Sequence, residues 1–308
     1  MSLNRIQVFA PASVANVGPG YDTFGFAIEH LGDVISLTKR SDSKLNILKS
    51  AGADLPTDPA KNVATVAIQS LLDSLDSQQG FDVHIKKLFK PGSGLGSSAS
   101  SASGAVYAAN KLLGEPYTDE QLLEFALDGE ELASGMIHAD NVAPSLLGGF
   151  QAVRSYEPLE LFRIPTPEEL RVLIIFPDVE VKTSEAKGLV PKELSVKEAR
   201  EQWGNVGALI HAMHTADYKL MSHAITDRIA EPVRRQLIPH YGKVKQYAMD
   251  HGAVGFNISG SGPSMFALFK SAETAKSCMT EIEKVYQKAD LPVMLNLSRI
   301  NPNGCQVI

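Results

Sequence analysis

A chain of 308 residues, 44% hydrophobic and 21% charged with a formal net charge of −6, reads as a mildly acidic folded protein large enough for two ordinary domains. No basic tract marks a nucleic-acid or membrane surface, and the longest apolar runs, such as Val172–Phe176, are strand-length and far short of a bilayer span. Met1–Arg5 has no apolar signal core, so the cytoplasm is the expected compartment, and Cys278 and Cys305, without paired spacing, read as free thiols.

In chain order, Arg5–Ala10 and Asp33–Thr38 read as strands. Between them Pro11 to Asp22 carries two prolines and two glycines around Asn16 and Asp22, which by themselves are turn residues bonding the backbone. Asn62 is placed to cap a helix running to Leu75. Phe81–Leu88 alternates like a half-buried strand and leads into Pro91-Gly92-Ser93-Gly94-Leu95-Gly96-Ser97-Ser98-Ala99. A helical stripe of small residues follows, from Ala99 through Ala102, Ala105 and Ala109 to Leu112. By composition the glycine stretch suits a linker. A linker, however, need not join a patterned strand to a helix. Strand, glycine turn and helix together suit an anion, because glycines let backbone N–H groups approach it and a helix start adds its positive dipole end. Ser97 and Ser98 could add hydroxyls to phosphate or to a phosphate-bound Mg²⁺. The stretch lacks the Walker Gly-Lys-Ser/Thr and the dinucleotide fingerprint, so spacing alone gives an anion-binding loop and no more.

Thr118 or Asp119 can open a helix to Ser134 whose apolar face includes Leu122, Leu123, Ala126, Leu127 and Ala133. Glu130 falls in the middle of that face and Glu131 on the solvated side. A carboxylate at Glu130 is costly unless it meets a cation, which a salt bridge or a bound metal would supply. His138-Ala139-Asp140-Asn141 follows, ahead of Pro144. One histidine and one carboxylate are not a transition-metal set, and no Gly-x-Ser-x-Gly elbow supports a serine hydrolase built from Ser97 or Ser98 with His138. His138 reads as a polar substrate contact or a loop histidine bonded to backbone. Three prolines between Pro158 and Pro167 mark a boundary between domains 1–160 and 161–308. Beyond it come a strand at Arg171–Phe176, a loop Asp178–Gly188, and a helix capped by Ser195 and reaching His214. Helices at Tyr218–Ile229 and His240–His251, strands at Val254–Asn257 and Met265–Phe269, a helix at Glu273–Gln287 and a strand at Val293–Arg299 complete the chain. The uneven alternation is α+β, with two layers in each domain.

Pro91-x-x-Gly94-Leu95-Gly96-Ser97-Ser98-Ala99 resembles the ATP-binding motif of the GHMP small-molecule kinases. Ala10 to Asp22 resembles that family's first motif and Asn257-Ile258-Ser259-Gly260-Ser261-Gly262-Pro263-Ser264 its third. His138 to Ser145, and Glu231-Pro232-Val233-Arg234 with Leu237-Ile238-Pro239, are similar to the homoserine kinase branch rather than to mevalonate, galactose or shikimate kinases. The resemblance spans essentially the whole chain in the family's order. It implies a two-domain GHMP kinase fold, with an N-terminal ribosomal-protein-S5-domain-2-like domain and a C-terminal ferredoxin-like domain. The implied activity is ATP-dependent phosphorylation of the side-chain hydroxyl of L-homoserine, a step of threonine biosynthesis, by a homodimer. The resemblance also implies site roles. Pro91, Gly92, Ser93, Gly94, Leu95, Gly96, Ser97, Ser98, Ala99, Ser100 and Ser101 would hold the nucleotide, with Asn62 beside the adenine. Ser98 and Glu130 would hold Mg²⁺. Asn141 would orient the hydroxyl, although Asp140 occupies the position where some GHMP kinases place a base. Asn16 and Asp22 would meet the substrate ammonium, His138 a further polar group, and Arg234 and Lys187 the carboxylate. Where the family's Thr-x-Glu-Ala segment usually continues with arginine, Thr183-x-Glu185-Ala186 continues with Lys187, which keeps a charge but not a two-pronged donor. A sibling kinase for another small alcohol, a ligand-binding paralogue and a serine hydrolase are the competing readings.

Overall fold

Two sheets, each covered by helices, organise residues 3–308, the residues described by the computed structural model. The first sheet contains β1 (Arg5–Ala15), β2 (Phe24–Lys39), β3 (Leu45–Ile47), β4 (Phe81–Lys87), β5 (Phe150–Tyr156) and β6 (Leu159–Ile164). Its spine runs β1-β2-β4-β3, with β5 added to the start of β2 and β6 to β5. Four helices belong to this half: α1 (Val63–Ser74), α2 (Ser97–Leu112), α3 (Leu122–Ser134) and α4 (Ala139–Leu147). Helices α2 and α4 lie on β1 and β2, and α1 and α3 pack on α2. The small residues of α2 explain how close it comes. A Cβ at Gly104 would stand 2.6 Å from Ile35 and 2.9 Å from Ala10.

The second sheet has β7 (Arg171–Pro177), β8 (Gly255–Ile258), β9 (Met265–Phe269) and β10 (Val293–Ser298) in antiparallel order β10-β7-β9-β8. In chain order this is 4-1-3-2, the ferredoxin-like arrangement implied by the resemblance. Helices α5 (Thr183–Gly188), α6 (Val196–Thr215), α7 (Tyr218–Ala224), α8 (Glu231–Arg234) and α9 (Tyr241–Asp250) follow β7, and α10 (Ala272–Gln287) joins β9 to β10. The apolar run at 172–176 is buried on both faces. Leu173 and Ile175 share a core with α9 and α10 residues, whereas Val172 and Ile174 share one with α6, α7 and the first sheet. There Phe26 meets Phe150 and Phe266 edge-on at 5.8 and 5.7 Å, so the two halves are joined through a common core. Each such buried aromatic is worth about 1.5–3 kcal/mol in surface removed from water. The last strand, β11 (Gln306–Val307), returns to β1. The chain leaves the first sheet after Ile164, a few residues past the expected division at 160, and comes back at its end.

Several local expectations change. The stretch from Pro11 is not all loop: β1 continues to Ala15 across a register shift between Pro11 and Ser13, an irregularity of the kind that accommodates proline in a strand. The segment after His138 is helix α4 despite Pro144, and the Asp178–Gly188 loop contains α5. Pro144 donates no hydrogen bond to the Asp140 carbonyl, and β2 runs close past that carbonyl: a Cβ at Gly25 would lie 1.7 Å from it. The helix expected over Tyr218–Ile229 ends at Ala224. Asp227 breaks it by accepting the N–H groups of Ile229, Ala230 and Glu231 at 2.7, 3.0 and 2.8 Å, which starts α8 instead.

Candidate active site

The three glycine motifs meet at the junction of the halves. The Ser13 N–H donates to the Leu95 carbonyl, the Gly260 N–H to the Ala15 carbonyl and the Ser264 N–H to the Ser93 carbonyl, each at 3.1 Å, and Ser259 Oγ donates to the Gly94 carbonyl at 2.7 Å. Gly94 and Gly96 take φ of 79° and 64°, conformations that favour glycine. A Cβ would lie 2.7 Å from the Ser259 and Gly262 carbonyls at the first and 2.1 Å from Ser13 Oγ at the second, so side chains here would strike the protein itself. Gly96 is also the N-cap of α2 and provides no side-chain cap, leaving the first N–H groups of the helix for a ligand.

A cavity of about 850 Å³ opens at this helix start, near the upper end of the usual range for small-molecule sites. Pro91, Gly92, Gly94, Gly96, Ser97, Ser98 and Ser101 line it on the loop side. Ser93, Leu95, Ala99 and Ser100 do not. Leu95 and Ala99 are core residues, Ser93 is buried, and Ser100 Oγ donates to the Ala10 carbonyl at 2.8 Å. These four shape the loop rather than reaching a ligand with their side chains. Asn62 lines the cavity, yet its amide is committed as the cap of α1: Oδ1 accepts the Ala64 N–H at 3.0 Å and Nδ2 donates to the Pro56 carbonyl at 2.9 Å.

Lys87 was not among the expected site residues. Its buried ammonium, at the end of β4, donates to Asp33 Oδ2 at 2.6 Å, the Ser97 carbonyl at 2.7 Å and Ser101 Oγ at 3.0 Å. Ser101 Oγ in turn donates to Asp33 Oδ2 at 2.7 Å. A fixed ion pair therefore underpins the first turn of α2. The signal was present in the sequence, since Lys87 shares the inward strand face of Val83 and Ile85, where a lysine requires a buried partner.

Glu130 also lines the cavity; it is buried and its Oε1 lies 3.2 Å from His138 Nδ1, while Glu131 is exposed as its helical position requires. Burial alone would lower the His138 pKa, but the Glu130 hydrogen bond and the Asp140 and Glu130 charges bring it above the ordinary value. Both residues line the cavity, with Asp140 and Asn141. Asp140 is buried, and desolvation and then the nearby Asp22 charge push its carboxyl up to about 7. Asn141 Oδ1 accepts from Ser13 Oγ at 3.0 Å, which orients the amide.

Asn16 lines the cavity and also braces a turn: Oδ1 accepts the Asp22 N–H at 2.7 Å and Nδ2 donates to the Gly260 carbonyl at 3.1 Å. This organises the turn that presents Asp22 to the cavity. Arg234 is buried, donating through Nη1 to the Gly260 carbonyl at 2.9 Å and through Nε to the Ala186 carbonyl at 3.2 Å, with Tyr21 stacked 5.3 Å away. Lys187 lines the same wall, its Nζ 3.3 Å from Met136 Sδ. The acidic side chains of Asp22 and Asp140 thus share one cavity with the basic side chains of Arg234 and Lys187, Asp140 being only partly ionised near neutral pH.

Residues 62–149 match the GHMP kinases N terminal domain, and residues 189–288 match the GHMP kinases C terminal domain. The chain is 43% identical over 298 residues to the homoserine kinase of Chloroherpeton thalassium, covering 93% of each, and 41% identical over 320 residues to that of Chlorobaculum tepidum, covering 99% of each. The chain belongs to the homoserine kinase family of GHMP kinases. The crystal structure of homoserine kinase from Cytophaga hutchinsonii ATCC 33406 matches at 42% identity with a TM-score of 0.97, over 100% of this chain and 98% of that one. L. major mevalonate kinase, at 17% identity and a TM-score of 0.72, shares the fold. In a GHMP kinase, an uncapped helix start beside a wall bearing both charge signs can hold a phosphate donor and a zwitterionic acceptor together.

Proposed function

We propose that the protein transfers the γ-phosphoryl group of ATP to the side-chain hydroxyl of L-homoserine, giving O-phospho-L-homoserine and ADP. One observation carries the acceptor assignment: the cavity that receives the uncapped start of α2 also holds a carboxylate pair, Asp22 and Asp140, and a buried guanidinium, Arg234. The first suits an ammonium group and the second a carboxylate, whereas a sugar or a polyol would leave these charges unmatched.

In this reading the loop and the N–H groups of α2 cradle the triphosphate, and Asn141, held by Ser13, orients the hydroxyl. The hydroxyl oxygen forms its bond to phosphorus as the bond to the ADP oxygen breaks, and its proton passes late, with no side-chain base, through a phosphoryl oxygen to water. Such a loose transition state is served mainly by positioning and charge stabilisation. The residues present fit Mg²⁺: buried Glu130 and Ser98 line the cavity as hard oxygen donors, and Mg²⁺ usually takes one or two protein ligands with phosphates and water completing its shell. Bound there, the ion would neutralise charge on the transferring group. His138, paired with Glu130, would hold that carboxylate in place as well as facing the substrate. The family resemblance further suggests a cytoplasmic homodimer acting in threonine biosynthesis.

The test is ADP release measured with Mg²⁺ against homoserine, mevalonate, shikimate and galactose. Release with homoserine alone is expected. Preference for another alcohol would make the protein a sibling kinase, and no release with any would leave a ligand-binding protein.

A further inference from the structure

Gln202 of α6 is a buried polar side chain with no part in the reaction as proposed. Its amide is nevertheless fully engaged. Nε2 donates to the Pro19 carbonyl at 2.8 Å and to Asp227 Oδ1 at 3.2 Å, while Oε1 accepts the Arg228 N–H at 2.8 Å. Pro19 lies in the turn that Asn16 closes onto Asp22. Asp227 is the residue whose carboxylate gathers the first N–H groups of α8, and α8 carries Arg234. A single amide therefore ties the turn bearing the anionic clamp, from the N-terminal half, to the helix bearing the cationic clamp, from the C-terminal half. One turn further along α6, Asn205 holds the segment before Asp227 by donating to the Thr226 carbonyl at 3.1 Å, a contact within the C-terminal half.

We infer that Gln202 is a positioning residue that sets the separation of the ammonium and carboxylate clamps and so governs affinity for the amino-acid substrate. The inference rests on the reading of Asp22 and Arg234 as those clamps. Chemistry restricts the position. The site demands two donors, toward a carbonyl and a carboxylate, and one acceptor, toward an N–H, which a primary amide supplies and a carboxylate does not. Glutamate would set oxygen against the Pro19 carbonyl and the Asp227 carboxylate, and methionine would fill the space while leaving all three partners without this bridge. The nucleotide loop makes none of these contacts, so loss of the bridge acts on one substrate.

The experiment measures both Michaelis constants, kcat and thermal unfolding for the full-length enzyme and for Gln202→Glu and Gln202→Met. Expected is a rise of about tenfold or more in KM for homoserine, the scale of misplacing one charge-assisted hydrogen bond, with KM for ATP within about twofold. Calorimetric titration with homoserine should show the same loss, and with ATP none. A purely structural role would lower the unfolding temperature without this split. Equal changes in both constants, or an unchanged KM for homoserine, overturns the inference. So does failure of both variants to fold, which makes Gln202 a determinant of the fold. If the wild-type enzyme releases no ADP with homoserine, the functional reading fails first and takes this inference with it.

Discussion

Replacing Arg234 by leucine separates substrate recognition from folding in a single variant. The guanidinium is buried against Tyr21 with two hydrogen bonds to main-chain carbonyls and lines the same cavity as Asp22. Its loss should cost the substrate carboxylate a charge-assisted contact of about 1.5–3 kcal/mol, or roughly 10- to 150-fold in KM for homoserine. The structural cost is smaller than the two lost bonds suggest. The Gly260 carbonyl keeps the Asn16 amide at 3.1 Å, and only the Ala186 carbonyl loses this donor outright, at about 1–3 kcal/mol. Steady-state kinetics should therefore show a large rise in KM for homoserine and little change in KM for ATP, with a modest fall in unfolding temperature. Arg234→Lys keeps the charge and should recover part of the loss but not the two-pronged geometry. Lys187→Met should show the same selectivity at smaller size. Equal increases in both Michaelis constants would refute the reasoning and assign Arg234 to domain closure.

Three further outcomes follow from the site. Asp140, with its carboxyl raised to about 7, is increasingly ionised as pH rises through that value; a cationic ammonium favours the ionised form, so homoserine affinity should improve by at most about tenfold in all from about pH 6 to 8, and lose this trend in Asp140→Asn. A wild-type affinity that weakens over that interval would contradict the assignment. Glu130→Gln should lower kcat by about 10²-fold or more with part of the loss recovered at high Mg²⁺, whereas reduced stability with unchanged turnover would make its pairing with His138 purely structural. Lys87→Met leaves Asp33 buried without its cation and should cost about 3–5 kcal/mol in urea unfolding, most of it regained in the double variant with Asp33→Leu; a single-variant loss below about 1 kcal/mol would show that the pair does not support the start of α2.

Periodic and capped segments were legible in the sequence. Asn62, Ser195 and the small-residue stripe of α2 announced three helices, and the alternation of Phe81–Leu88 announced β4, because those signals are local. Glu130 was legible as a carboxylate on an apolar face. What was missed depends on contacts distant in sequence. Helix α4 was hidden by Pro144, which the fold tolerates at a close strand crossing by Gly25. Lys87 was read only as part of a strand, since its partner Asp33 becomes visible only when β2 pairs with β4 and sets the two residues opposite each other. Asn16, a substrate contact by family resemblance and a turn former by composition, lines the cavity and makes the two hydrogen bonds of a turn former, so the two readings do not exclude each other. The two clamps come from residues more than 200 positions apart, Asp22 and Arg234, and no local pattern joins them.

The central claim is that the side-chain oxygen of homoserine receives the γ-phosphoryl group. Phosphorus NMR of a reaction holding enzyme, ATP, Mg²⁺ and homoserine tests it directly. A new phosphomonoester resonance is expected, growing in step with ADP and coupled to the terminal methylene protons of the amino acid. ADP accompanied only by inorganic phosphate, or a phosphoryl group on any other atom of the substrate, would contradict it.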